Sequence, residues 1–544
     1  MVNIIVEVSK YMIILLMTAY TFSCFSIFAQ SYEEDEKRAY ILQNVLMFMM
    51  QFLAYAVMYL KTEEHKLLLF FAVQVVLLVA VILLYSILYP NVSRLIVNNM
   101  CMLLSAGLIM ITRLSYESAV KQFIFIALGT AFGLVVPVLI RKLKFLADWV
   151  YIYAGVGFAA LLLVAVFAAT SGGAKLGFTI GGIGIQPSEF VKILFVFYVA
   201  ASLKNSTEFK NVVITTAVAA AHVLILVVST DLGAALILFV VYLVMLYVAT
   251  KQPLYAAAGL GAGSLAAVAG YHLFAHIKVR VAAWKDPFAS YNEGGYQVAQ
   301  SLFAIGTGSW FGMGLCQGSP DMIPVAESDF IFSAIAEELG VIFALCLILI
   351  CVSCYVMFLN IAMELRNPFY KLVALGLGTC YIFQVFLTIG GVTKFIPSTG
   401  VTLPLVSYGG SSILSSMIMI GIIQGLYIIR EDEEEELEMK REMAARRRRQ
   451  RAAREARERT AAGQNGGGRK SGDSPGSQRQ NPGRRSGTDP EGARRQGAGQ
   501  RRTRAGQEEP GRERALRDEQ RGSRNKKTTK GKSKFEEVPK QRIR

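Results

Sequence analysis

Lys66-Leu-Leu-Leu-Phe-Phe-Ala-Val-Gln-Val-Val-Leu-Leu-Val-Ala-Val-Ile-Leu-Leu-Tyr-Ser-Ile-Leu-Tyr89 is apolar on every helical face, with Gln74 and Ser86 as its polar breaks after Lys66. A helix crosses a bilayer with roughly 20 such residues. Apolar character all round is what a lipid-embedded helix needs and what a soluble surface helix avoids. Similar runs recur at about 11–30, 40–60, 98–113, 119–140, 149–170, 189–204, 210–229, 231–250, 253–277, 339–360, 369–391 and 403–429, giving about thirteen spans. Lipid offers no partner to backbone N–H and C=O groups, so the expected fold is all-α, a polytopic transmembrane helix bundle.

Charge is distributed to match. The chain has 544 residues, 53% of them hydrophobic, and a net charge of +16. Of its 56 Lys and Arg residues 33 lie from Glu431 onward, as do 20 of its 40 Asp and Glu residues, so the body is nearly neutral and the tail carries most of the excess. Counting spans puts the basic loops at Arg141, Lys142 and Lys144, at Lys204 and Lys210, at Lys251, and at Arg366 and Lys371 on one side together with the tail. The bias of Lys and Arg toward the cytoplasm assigns that side. Segments 171–188, 278–338 and 392–402, with the N-terminus, then fall outside. The acids of Glu431–Glu438 and the basic run Arg446–Arg449 are expected to continue the last helix a few turns. Beyond Gly463 the composition cannot bury a core, so a disordered cytoplasmic tail drawn to anionic headgroups is expected. Phe535 is the one aromatic residue among its charges, too little interleaving for stacking on bases, and no nucleic-acid partner is expected. Six of the seven cysteines, all but Cys316, lie in apolar runs, His65, His222, His272 and His276 are scattered, and no nucleotide-binding loop is present.

Four polar clusters interrupt this body, all on the outer side. Charged groups at membrane depth are costly and so mark candidate sites. In Gly181-Gly-Ile-Gly-Ile-Gln-Pro-Ser-Glu-Phe-Val-Lys192, Pro187 suits a first helical turn and Glu189 faces Lys192 at i, i+3. Either a capped helix start or a functional pair fits. Asp231, in Ser229-Thr-Asp-Leu-Gly233, suits a helix cap. The long segment from Lys278 to Gly340 holds Arg280, Gly295-Tyr-Gln297, the Gly-rich stretch Gly306–Gly314, and Asp329 beside Phe330-Ile-Phe332. Asp329 is either the cap of a helix running through Glu337 or a carboxylate held beside apolar surface, where burial favours a base. In Gly390–Ser412, Pro397, Pro404 and Gly409-Gly410 break the helix at the outer edge. Irregular backbone there is tolerated where protein covers it or a cavity needs it.

Gln186-Pro-Ser-Glu189 with Lys192, Asp231-Leu-Gly233, Gly295-Tyr-Gln297, Asp329-Phe-Ile-Phe332, Glu337-Glu-Leu-Gly340, Pro397 and Leu403-Pro-Leu-Val-Ser-Tyr-Gly-Gly410, in this order, resemble the shape, elongation, division and sporulation family of FtsW, RodA and SpoVE. The resemblance covers roughly Leu104 to Tyr427. It divides the chain into extra N-terminal helices at 1–95, a ten-span core at 96–430 and the tail at 431–544. It implies a peptidoglycan glycosyltransferase that polymerises lipid II at the outer face of the cytoplasmic membrane in cell division or elongation. It also implies a class B penicillin-binding protein as partner. It makes Asp329 the essential carboxylate, Glu189 and Lys192 the polar pair of the central cavity, and Pro397 and Pro404 the prolines of the last outer loop; Arg280, Tyr296, Gln297 and Ser407 are the further candidates for substrate binding. The chain departs from the family pattern at Ala174-Lys-Leu-Gly177, Glu327-Ser328, Thr388 and Lys394.

The reaction expected from the resemblance is inverting. Asp329 takes the proton of the acceptor hydroxyl, and Lys192, Arg280 or a divalent cation such as Mg or Mn balances the leaving pyrophosphate. A lipid II flippase and a non-catalytic scaffold for the penicillin-binding protein are the competing readings. The gathering of acidic and Gly/Pro-rich clusters on one side favours the enzyme.

Overall fold

The computed structural model describes residues 2–29, 33–168, 177–180, 183–204 and 206–465. The expected tail disorder beyond residue 465 lies outside the described residues, as do Ala174, Lys175 and Leu176 of the first departure from the family pattern. The chain divides into two units, Met1–Met443 and Ala444–Ile543.

The first unit is a bundle. Its helices are α1 (Val2–Ile27), α2 (Glu33–Thr62), α3 (His65–Leu88), α4 (Arg94–Leu114), α5 (Tyr116–Lys142) and α6 (Val150–Phe167). After a two-stranded antiparallel hairpin, β1 (Phe178–Ile180) with β2 (Ile183–Ile185), come α7 (Pro187–Leu203), α8 (Phe209–Val228), α9 (Leu232–Thr250) and α10 (Pro253–Leu273). Two shorter helices, α11 (Ala275–Lys285) and α12 (Tyr296–Gly308), precede α13 (Ile331–Glu364), α14 (Pro368–Val392) and α15 (Gly410–Asn465). Among the described residues twelve helices are long and apolar enough to cross a membrane. The thirteenth expected span is α7, which at 17 residues is short and carries the buried Glu189–Lys192 pair. The protein is a multi-pass membrane protein. In the second unit residues 444–465 are helical.

Helix starts follow local chemistry. Pro187 occupies the first turn of α7 and Pro368 that of α14, positions where a missing N–H costs nothing. Asp231 caps α9 by accepting from the Ala234 N–H at 3.1 Å, and Asn367 caps α14 through the Phe369 N–H at 2.9 Å. The core is centred on α4, buried continuously from Leu95 to Thr112. On α10 only Gly270 is buried within the chain. Three ion pairs lie together at one end of the bundle: Arg141 with Asp432 at 2.9 Å, Arg430 with Glu364 at 2.6 Å and Lys204 with Asp148 at 2.7 Å.

Three expected spans are bounded differently. The run 253–277 breaks at Phe274, whose extended backbone separates α10 from α11. The run 403–429 begins its helix only at Gly410, because Leu403–Val406 forms a turn around the buried Pro404. The run 339–360 starts earlier, at Ile331, and contains a break at Gly340, where φ 86° and ψ 164° leave the helical region. Four backbone groups around the break pair with the preceding loop. Met313 N donates to Glu337 O at 2.8 Å and Gly314 N to Glu338 O at 2.9 Å. Val341 N donates to Ser309 O at 3.0 Å and Ile342 N to Trp310 O at 3.2 Å. An unsatisfied group in hydrocarbon costs several kcal/mol, so this stitching is what lets α13 break there.

Candidate active site

The loop between α14 and α15 frames the site, and buried side chains hold it from several helices. Thr388 Oγ1 donates to Val401 O at 2.9 Å, Gln384 Nε2 to Thr402 O at 3.0 Å, and Thr402 shares a 2.7 Å hydroxyl bond with Ser412. From α5, Gln122 Nε2 donates to Ser407 O at 2.9 Å. From α11, Trp284 Nε1 donates to Lys394 O at 3.2 Å and Arg280 Nη1 to Ser398 O at 3.0 Å. The Asp329 segment is tied to the same loop: Ser407 Oγ donates to Ser328 O at 2.6 Å, and Tyr408 N to Glu327 O at 2.8 Å.

These ties bring Asp329 and Arg280 together across Gly400. A Cβ on Gly400 would lie 3.5 Å from Asp329 Oδ2 and 3.8 and 3.9 Å from the two terminal Arg280 nitrogens. Gly400 adopts φ +72°, which disfavours any side chain, so the backbone passes close without filling the space between acid and base. Asp329 does not cap a helix. The cap position of α13 is Phe330, which makes no side-chain capping bond, and the carboxylate is left for other use. Burial raises the Asp329 carboxyl above the ordinary range, with the Arg280 guanidinium and the Ser328 hydroxyl pulling it back. On Arg280 burial works against the charge, and Asp329 and then Asp231 work for it.

Glu189 and Lys192 form a second polar layer. Lys192 Nζ donates to Glu189 Oε2 at 2.9 Å and to Gln384 Oε1 at 2.7 Å, and Ser415 Oγ donates to the same Glu189 oxygen at 2.9 Å. Both charges are buried and their hydrogen bonds run to protein groups. Through Gln384 the pair supports the backbone of Thr402. Asp231 joins this layer, accepting from Ser188 Oγ at 2.8 Å and Gln186 Nε2 at 3.3 Å while capping α9.

The remaining sequence candidates sit as follows. Pro397 immediately precedes Ser398, the residue Arg280 grips. Pro404 is buried in its turn. Ser407 is 1% exposed and accepts from Leu403 N at 2.9 Å as well as donating to Ser328 O, so it supports the Asp329 segment. Tyr296 starts α12 and its hydroxyl reaches Met322 O at 3.4 Å, while Gln297 is exposed.

Sequence reasoning passed over Gly400, Thr399, His276 and Gln384. Thr399 Oγ1 and His276 Nε2 are buried without a partner among the described residues, Thr399 next to Gly400 and His276 one turn before Arg280. Burial, with the Arg280 charge, favours the neutral imidazole. Only Gln384 carried a sequence signal, an amide inside an otherwise apolar run. Among the described residues no three His, Cys, Asp or Glu side chains group as metal ligands. Asp329 is the carboxylate beside Arg280, and a hard divalent cation held by one carboxylate would need the phosphates of its substrate to complete its shell.

Residues 88–431 match the FtsW/RodA/SpoVE family, described as a cell cycle protein. The peptidoglycan glycosyltransferase RodA of Mycobacterium tuberculosis is 34% identical over 363 residues, which cover 61% of this chain and 77% of that one. The probable peptidoglycan glycosyltransferase FtsW of Bacillus subtilis is 32% identical over 284 residues, 49% of this chain and 70% of that one. A chain solved within a peptidoglycan synthase complex of polymerization and crosslinking superposes with a TM-score of 0.54 at 22% identity, over 62% of this chain and 98% of its own length, and so shares the fold. The chain belongs to the FtsW/RodA/SpoVE family.

Proposed function

We propose that the protein is a peptidoglycan glycosyltransferase that polymerises lipid II at the outer membrane face, with Asp329 as general base and Arg280 as the cation at the leaving group. One observation carries the assignment of roles. A half-buried carboxylate and a guanidinium face the same point across a glycine, on a loop-rich end of the bundle. A sugar hydroxyl is a poor nucleophile at neutral pH, so a base within reach must take its proton as it attacks. The acceptor 4-hydroxyl oxygen of a GlcNAc forms the new bond to the anomeric carbon of a MurNAc, and the proton goes to Asp329. The bond from that carbon to the pyrophosphate breaks, its electron pair leaves with the phosphate oxygen, and Arg280 balances the charge. A single displacement inverts the anomeric centre. The Thr399 hydroxyl is a free partner for a substrate oxygen at the same place.

Lys192 is already bonded to Glu189 and Gln384, so Arg280 is the better cation for the pyrophosphate. No step is routed through a metal, since among the described residues no three His, Cys, Asp or Glu side chains group as ligands. A class B penicillin-binding protein is the partner we assign, to crosslink the new strand. The Lys and Arg of the loops and tail support a cytoplasmic assignment for the end of the bundle that carries them.

The test is glycan-chain formation from labelled lipid II by the purified protein with its penicillin-binding partner. Wild type makes polymer and a folded Asp329→Asn protein makes none. Full polymerase activity in that variant would remove Asp329 from its role.

A further inference from the structure

The family match begins at residue 88, so α1, α2 and α3 lie outside it. Yet α1 reaches the segment that orients Asp329. Its first turns lie against the outer loop that closes the α13 break. The Tyr11 and Phe311 rings are 5.6 Å apart. Lys10 Nζ, held by Glu7 at 2.7 Å, stands 3.5 Å from Gly312 O, and Val6 lies 3.6 Å from where a Gly314 Cβ would be. The helix is locked in place deeper in the bundle. Tyr20 OH donates to Asn99 Oδ1 at 3.1 Å, and Asn99 Nδ2 to Ser353 Oγ at 3.3 Å, which ties α1 to α4 and α13.

The loop that α1 touches grips the break from both sides. Besides the four backbone bonds at Gly340, Cys316 N donates to Glu338 Oε2 at 3.2 Å and Ser319 N to Glu337 Oε1 at 2.8 Å. Arg113, at the outer end of α4, donates Nε to Glu338 Oε1 at 3.1 Å and Nη2 to Gly318 O at 3.3 Å. Glu338 is fully buried. Residues Ile331–Leu339, between Asp329 and the break, are too few to keep a direction of their own. Their tilt is set where they are clamped. The half-helix is about 13 Å long. A tilt of about 5° would carry its Asp329 end roughly 1 Å, a displacement that can cost ~100-fold in rate.

We propose that Lys10 and Tyr11 of the appended helix α1, together with Arg113, are positioning residues for Asp329. They fix the loop from Trp310 to Ser319, and that loop fixes the half-helix. The inference rests on Asp329 being the base. It gives the extra N-terminal helices a task in this enzyme: an outer brace on the catalytic segment.

The test uses the full-length protein with its partner and labelled lipid II. Lys10→Met combined with Tyr11→Ala leaves the Asn99 ties intact. Turnover is expected to fall about 10-fold or more, with KM changed less than about 2-fold, as for an interaction felt in the transition state. Hydrogen exchange is expected to rise in 313–319 and 326–330 while the unfolding midpoint stays put. Lys10→Arg, which keeps the charge, restores most of the turnover. Phe311→Leu reaches the same contact from the loop side, and its effect should not add to that of the pair, which covers the case of an unstable α1 variant. Unchanged turnover, or a loss without faster exchange in those segments, overturns the proposal. The exchange readout is independent of chemistry, so it separates this failure from an Asp329→Asn protein that stays active.

Discussion

Removing the Arg280 charge should move the acid limb of the pH–rate profile to higher pH. Asp329 acts as base only when ionised. Its carboxyl is raised by burial, and Arg280 holds it down. Activity is therefore present above this carboxyl's pKa and lost as pH falls through it. Asp329 Oδ2 and the Arg280 nitrogens lie 3.5 to 3.9 Å from one point. The two charges are thus no more than about 7 Å apart, and at an effective dielectric near 20 they attract by roughly 2 kcal/mol. Both groups are half-buried, so solvent reduces this, and a shift of about one pH unit is expected. In Arg280→Gln the limb should move up by that amount, and the plateau should also drop because the pyrophosphate loses its cation. Arg280→Lys should keep the limb near its wild-type place while losing part of the plateau, since an ammonium cannot reproduce the guanidinium geometry. The assay is initial polymerisation rate from labelled lipid II between about pH 5 and 9, fitted separately for limb and plateau. A limb that stays put in a folded Arg280→Gln protein would refute the pairing of these charges, whatever happens to the plateau.

Two further substitutions probe the frame of the site. Gly400→Ala should cost about 1–2 kcal/mol from its left-handed backbone. It also sets a methyl between Asp329 and Arg280, so turnover should fall well beyond the loss of thermal stability, and an activity loss that merely tracks unfolding would contradict this. Ser407→Ala strips the partner from Leu403 N and Ser328 O. Thermal unfolding should show a loss of about 1–3 kcal/mol, with a further loss of turnover as the Asp329 segment loosens, and a neutral variant would show that the tie is dispensable.

The residues that were readable in the sequence differ from those that were not by how far apart their partners lie. Glu189 and Lys192 are neighbours on one helix face, so their spacing announced the pair. The apolar runs announced the spans for a similar local reason, each helix satisfying its own backbone. Gln384, which completes the Lys192 site, belongs to a helix far along the chain, and no period connects the two. Asp329 could be read locally as a cap or as a base, and the choice between them depended on where the helix begins relative to Phe330. The segment 331–340 was the hardest case. By sequence its first residues fall in the long outer segment, as a helix of their own if Asp329 is its cap, and its end reads as the start of the next span. The break at Gly340 depends on backbone groups of residues 309–314, which pair with it only once the chain has folded back. Those long-range ties are also the ones that hold the base. A site assembled this way has little stability of its own, so contacts at the edge of the bundle, such as those from α1, can bear on the chemistry without touching the substrate.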